Sequence, residues 1–191
     1  MWYLIGRDLK RGEENMKRGL VEIYTGRGKG KTTAALGLTV RAAGCGFTVR
    51  FFQFCKGSPT GEIGMLKNMP RVEFFRSGFA SGKFVKEMTP QEKEAWQSTQ
   101  QELFDAACEA ALSPDSDVVV LDEILGVIHE KAISESELLY LIQHKYRGTE
   151  LVITGRGASK ALVDAADYVT EMQEIKHPYH DGVFARRGIE F

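Results

Sequence analysis

Nine consecutive residues, Thr25-Gly26-Arg27-Gly28-Lys29-Gly30-Lys31-Thr32-Thr33, have the composition of a site that holds a polyphosphate. Glycines let successive backbone N–H groups turn toward one anion, a following helix adds the positive end of its dipole, and Lys31 supplies a point charge. Thr32 is then placed to offer its hydroxyl to Mg²⁺. The usual phosphate-loop spacing, G-x-x-x-x-G-K-[ST], asks for glycine where this chain has Thr25. Counted from Gly26 the loop is one residue shorter, so the direction in which a nucleotide lies cannot be taken from common P-loop ATPases. Further along, Val118-Val119-Val120-Leu121-Asp122-Glu123 is an apolar run ending in two acids, the arrangement that presents a carboxylate to a phosphate-loop magnesium. Neighbours on a strand point oppositely, so one of the two faces the metal. Glu123 is the first choice and Asp122 its support.

These groups need a scaffold, and short apolar runs alternating with longer mixed segments supply one: strand and helix units building a parallel sheet. Strands are expected over 20–24, 48–54, 72–75, 118–121, 151–154 and 168–171. Helices are expected over 31–43, 90–112, 135–144 and 160–166, the second capped by Thr89 ahead of Pro90. The stretch 57–86 reads as strand, loop and a mobile connection. Residues 1–19, polar and charged, read as an N-terminal arm, and 20–191 as one nucleotide-binding domain. The fold class is α/β.

Composition narrows the partners. Lysine and arginine total 25 against 26 acids, giving a net charge of −1. A dedicated nucleic-acid binder normally carries a basic excess, so none is expected here. Cys45, Cys55 and Cys108 are odd in number and show no CxxC spacing, which argues for reduced thiols in a cytoplasmic protein. The apolar opening Trp2 to Ile5 is too short for a membrane span. His129 and His144 fit helix faces, while His177 and His180 bracket a proline turn; none has ligand spacing for a structural metal.

Four segments recur in a familiar order: Arg18-Gly19-Leu20 through Gly37, Phe52-Gln53-Phe54-Cys55-Lys56-Gly57, Leu121-Asp122-Glu123, and Val152-Ile153-Thr154-Gly155-Arg156-Gly157. The closing stretch adds Ala165-Ala166-Asp167, Val169-Thr170-Glu171-Met172, Lys176-His177-Pro178 and Gly188-Ile189-Glu190-Phe191. Together they resemble the ATP:corrinoid adenosyltransferases of the cobinamide and cobyrinic acid diamide type. The resemblance implies a RecA-like P-loop three-layer sandwich with a mainly parallel sheet, a homodimer, and a flavodoxin-like protein or flavin as reductant. It also implies that Co(I) of a reduced corrinoid attacks the 5′ carbon of MgATP and releases triphosphate. Lys31, Thr32 and Glu123 would serve the leaving group, with Arg41 and Arg156 carried over as nucleotide contacts. Phe79 is carried over as a corrinoid contact, and His177 as a contact to corrinoid or nucleotide. The family's Gly-Phe-Thr-Trp segment appears here as Gly78-Phe79-Ala80-Ser81, so one aromatic is replaced by serine, and Phe84 is a nearby substitute. Two other readings stay open: a P-loop ATPase or phosphotransferase, and a non-catalytic module that binds ATP and corrinoid.

Overall fold

The computed structural model describes residues 18–55, 60–79, 83 and 85–190. The expectations placed on residues 1–17 of the N-terminal arm, Lys56, Gly57, Ala80, Ser81, Phe84 and Phe191 lie outside those residues. Six strands form a sheet in the order β3-β2-β4-β5-β1-β6. They are β1 (Val21–Thr25), β2 (Val49–Gln53), β3 (Val72–Arg76), β4 (Val118–Asp122), β5 (Glu150–Thr154) and β6 (Tyr168–Glu171). Every pairing is parallel, so the sheet is wholly rather than mainly parallel. Parallel strands need both faces covered. The middle strand β4 shows the consequence: all five of its residues are buried.

Helices α1 (Lys31–Gly44) and α2 (Glu62–Asn68) lie on one face, where Ala35, Ala42 and Leu66 pack against Val49, Phe51, Val118, Val120 and Val152. The opposite face carries α3 (Pro90–Leu112), α4 (Ile124–His129), α5 (Glu135–His144) and α6 (Lys160–Ala165), packed over Phe52, Phe54, Val119, Leu121, Leu151 and Ile153. The result is a three-layer α/β sandwich. Thr89 caps α3 as expected: its hydroxyl accepts from the Glu92 N–H at 3.2 Å and the Glu92 carboxylate accepts from the Thr89 N–H at 2.8 Å. That reciprocal pair satisfies two donors a helix start would otherwise leave unpaired.

Two helices lie outside the ranges expected from the sequence, although His129, read onto a helix face, closes one of them. The α2 helix falls in the stretch read as loop, and α4 starts directly after β4. With seven and six residues, neither is long enough to display a full apolar stripe. No helix among the described residues is long and apolar enough to cross a membrane.

Candidate active site

All six strands point their carboxyl ends the same way, and that edge is where an open parallel sheet binds ligands. The phosphate loop leaves β1 there and enters α1 through Gly30, whose φ of 119° is a backbone conformation other residues rarely adopt. The loop leans on the end of β6. Gly28 N–H donates to the Met172 carbonyl at 2.6 Å, and a Cβ on Gly28 would meet the carbonyl oxygens of Met172 and Gln173 at 2.7 Å. Thr25 closes β1, almost fully buried, and its hydroxyl accepts from Ala158 N–H at 3.3 Å.

Lys31 is 8% exposed, and its ammonium donates to the carbonyls of Gly26 and Gly28, both at 2.8 Å. It curls over the loop interior, the space a phosphate would enter. Burial, and then the Arg156 guanidinium, hold its pKa below the ordinary lysine value, while Glu123 and Asp122 oppose them. The Thr32 hydroxyl donates to Asp122 Oδ1 at 2.9 Å, and Thr154 donates to the same oxygen at 2.8 Å. The acid pair therefore divides, with Asp122 on Thr32. Glu123 leaves the strand with φ 64°, its N–H donating to Thr154 Oγ1 at 2.8 Å, and its side chain lines a different space. A left-handed non-glycine residue is strained, and such strain concentrates at functional positions.

Two cavities open on this edge. The smaller, about 430 Å³, is walled by the loop from Arg27 to Thr33, by Glu62, and by the tail residues His177, Gly188 and Glu190. The larger, about 1400 Å³, is walled by Phe79, Trp96, Gln100, Glu123, His129 and residues of the β6 end. Arg27 and Arg156 line both. Cys55 lines the larger one, where burial and then Glu123 push its thiol pKa up to about 12, too high for a thiolate nucleophile at neutral pH.

Oxygen donors are what Mg²⁺ prefers, and Thr32 with Asp122 supplies them. Among the described residues no group of three or more His, Cys, Asp or Glu side chains could hold a metal alone. The site accordingly suits an ion that keeps waters and leans on phosphate oxygens.

This geometry can be set beside known proteins. Residues 17–191 match the family described as ATP:corrinoid adenosyltransferase BtuR/CobO/CobP. The chain belongs to that family. Curated adenosyltransferases resemble it along their length. Corrinoid adenosyltransferase CobA of Salmonella typhimurium is 32% identical, covering 96% of this chain and 91% of that protein. The corrinoid adenosyltransferase of Pseudomonas aeruginosa is 32% identical over 96% and 89%, and that of Escherichia coli 32% over 96% and 91%.

Against the family reading, the structure brings Lys31, Thr32, Asp122, Arg27 and Arg156 to one edge with Glu123, Phe79 and His177. It does not bring Arg41. That residue sits exposed in the last turn of α1, ten residues past Lys31 or about 15 Å along the helix, and lines neither cavity. His177 borders the phosphate cavity and not the larger one, which favours the nucleotide among the two contacts expected of it. Trp96 and Gln100 were missed. Gln100 carried a signal, as a polar residue buried to 1% on the apolar α3 face shared by Trp96, Leu103, Phe104 and Ala107.

Proposed function

We propose that this adenosyltransferase works across the junction of its two cavities, with the triphosphate of ATP on the phosphate loop and the corrin ring in the larger space. The observation that carries the reading is the sharing of Arg27 and Arg156 by both cavities. It leaves the adenosyl 5′ carbon at their meeting point. The cobalt electron pair forms the Co–C bond, the C5′–O bond breaks, and its electrons leave with triphosphate, taking Co(I) to Co(III).

Charge grows on the departing oxygen, so Lys31 and the loop N–H groups act by stabilising that oxygen. Lys31 must first exchange its two carbonyl partners for phosphate oxygens. Thr32 and Asp122, with Glu123 turned from the other side, would hold Mg²⁺, which supplies further neutralisation of the leaving group. No general base is required. The remaining contribution is alignment and exclusion of water, for which Phe79 and Trp96 provide apolar walls. His177 would steady the tail beside the phosphates, its Nδ1 accepting from Tyr179 N–H at 3.1 Å.

We further propose a homodimer reduced by a flavodoxin-like protein or a flavin. Support for the dimer comes from Ile175, Tyr179, Phe184 and Ile189, large apolar side chains left exposed along the tail. Anaerobic turnover of chemically reduced cobalamin and cobinamide with MgATP tests the reaction. Adenosylcorrinoid and triphosphate in equal amounts is the expected result. ADP in place of triphosphate would return the chain to the phosphotransferases.

A further inference from the structure

On the α1 face of the sheet the side chains form rows, and the third row breaks the pattern. Val72, Val49 and Val118 pair in register, and so do Phe74, Phe51, Val120 and Val152; all but the half-buried Phe74 are buried. At the carboxyl edge the same ladder continues as Arg76, Gln53 and Asp122, with Thr154 bonded to Asp122. Gln53 and Asp122 have no exposed surface at all.

Gln53 makes one amide serve two acids. Its nitrogen donates to Glu62 Oε1 at 3.0 Å and reaches Asp122 Oδ2 at 3.4 Å, while its own Oε1 is buried with no hydrogen-bond partner among the described residues. Turning the amide over would set that oxygen against two carboxylates, so the acids fix its orientation. An apolar side chain would continue the ladder without leaving an acceptor unpaired, so the glutamine serves something other than packing. Glu62 and Thr32 both line the phosphate cavity, and Asp122 holds Thr32. Arg76 attracts Glu62 from the next strand, although burial holds its own pKa down.

We infer that Gln53 is a positioning residue that holds Asp122 and Glu62 as a pair facing the Thr32 hydroxyl, and that Glu62 is a further binding residue for the hydrated cation of the nucleotide. A small cation keeping several waters needs acceptors for their hydrogens. Glu62, on the cavity wall, provides one, and Asp122 stands behind the Thr32 hydroxyl as its charged partner. The inference rests on the Mg²⁺–triphosphate reading of that cavity.

Calorimetric titration of ATP at a series of Mg²⁺ concentrations tests it without turnover. Gln53→Met is expected to raise the Mg²⁺ concentration for half-maximal ATP binding by about 10- to 100-fold, the usual loss when a partner of a metal ligand is removed. Metal-free ATP binding should stay at the wild-type level, which a merely disturbed fold would not allow. Glu62→Gln, at a half-buried position that tolerates change, should move the midpoint the same way by a smaller factor. The double variant should do no more than Gln53→Met alone, as expected for residues acting as one unit. Unchanged Mg²⁺ midpoints in a folded Gln53→Met, or in Glu62→Gln if the first does not fold, would overturn the inference and leave the proposed function standing. Wild-type ATP binding that ignores Mg²⁺ would sink the cavity reading and the inference with it.

Discussion

The two cavities on the carboxyl edge are built by different means. Around the phosphate loop nearly every polar group is tied to another: Lys31 to two carbonyls, Thr32 to Asp122, Asp122 to Thr154, Gln53 to Glu62. The larger cavity draws its wall from α3, α4, α6, β6 and the loops after β1, β2, β3 and β5, with Phe79, Val85, Met88, Trp96, Val163 and Val169 standing among charged side chains. A triphosphate is small and densely charged, so a site of dipoles and short bonds set in advance suits it. A corrin is a broad ring fringed with amides, and for the corrin proposed there a wide wall that mixes apolar and polar side chains is suited.

The sharpest break in that comparison comes from Lys31→Ala. Losing one positioned donor to the leaving group should lower kcat about 100- to 1000-fold, read by anaerobic turnover, with corrinoid binding retained. Next is Asp122→Asn, expected to raise the Mg²⁺ requirement of turnover about 10- to 100-fold, since the Thr32 hydroxyl loses its charged partner. Phe79→Ala should do the reverse of both. KM for corrinoid should rise about three- to tenfold with ATP affinity unchanged, as loss of one aromatic contact allows. An equal loss of ATP affinity in that variant would show the cavities to be one site energetically.

The phosphate end was legible because its chemistry is contiguous. Thr25 to Thr33 carry strand end, loop and helix start in one run, and the apolar runs around β1, β4 and β5 announced the sheet. Which acid meets Thr32 was not legible. It depends on β4 ending at Asp122 and on the positive φ of Glu123, a backbone turn that the residue types do not disclose. The larger cavity was harder still, since Trp96, Gln100 and His129 meet only after α3 and α4 dock on the sheet. Arg41, carried over from the family resemblance as a nucleotide contact, lies exposed in the last turn of α1 and lines neither cavity.

The smallest expected effect lies at the other end of the sheet and serves as a control. Glu150 opens β5, its Oε2 accepting from Leu20 N–H at 2.7 Å, and burial, helped by Glu22, raises its pKa from 4.5 to about 7. Between those values the folded protein keeps a proton that the unfolded chain releases. This group's contribution to stability is therefore full below pH 4.5 and is lost as pH rises through about 7. Glu150→Gln should flatten that part of the urea-midpoint profile and leave both KM values as they were. A changed KM for either substrate would mean that the sheet transmits strain to the edge where the cavities open.

Strand order also sets a timetable for the nascent chain. Of the described strands β1 comes first in the chain, and its neighbours are β5 and β6, the last two of them. Until those segments leave the ribosome, β1 has no sheet to join, and Gly28 lacks the Met172 carbonyl on which the loop leans. Long-range pairing of this kind is slow to form and leaves early strands open to wrong partners. Nucleotide-binding competence thus waits for β5 and β6, which are made long after the phosphate loop they support.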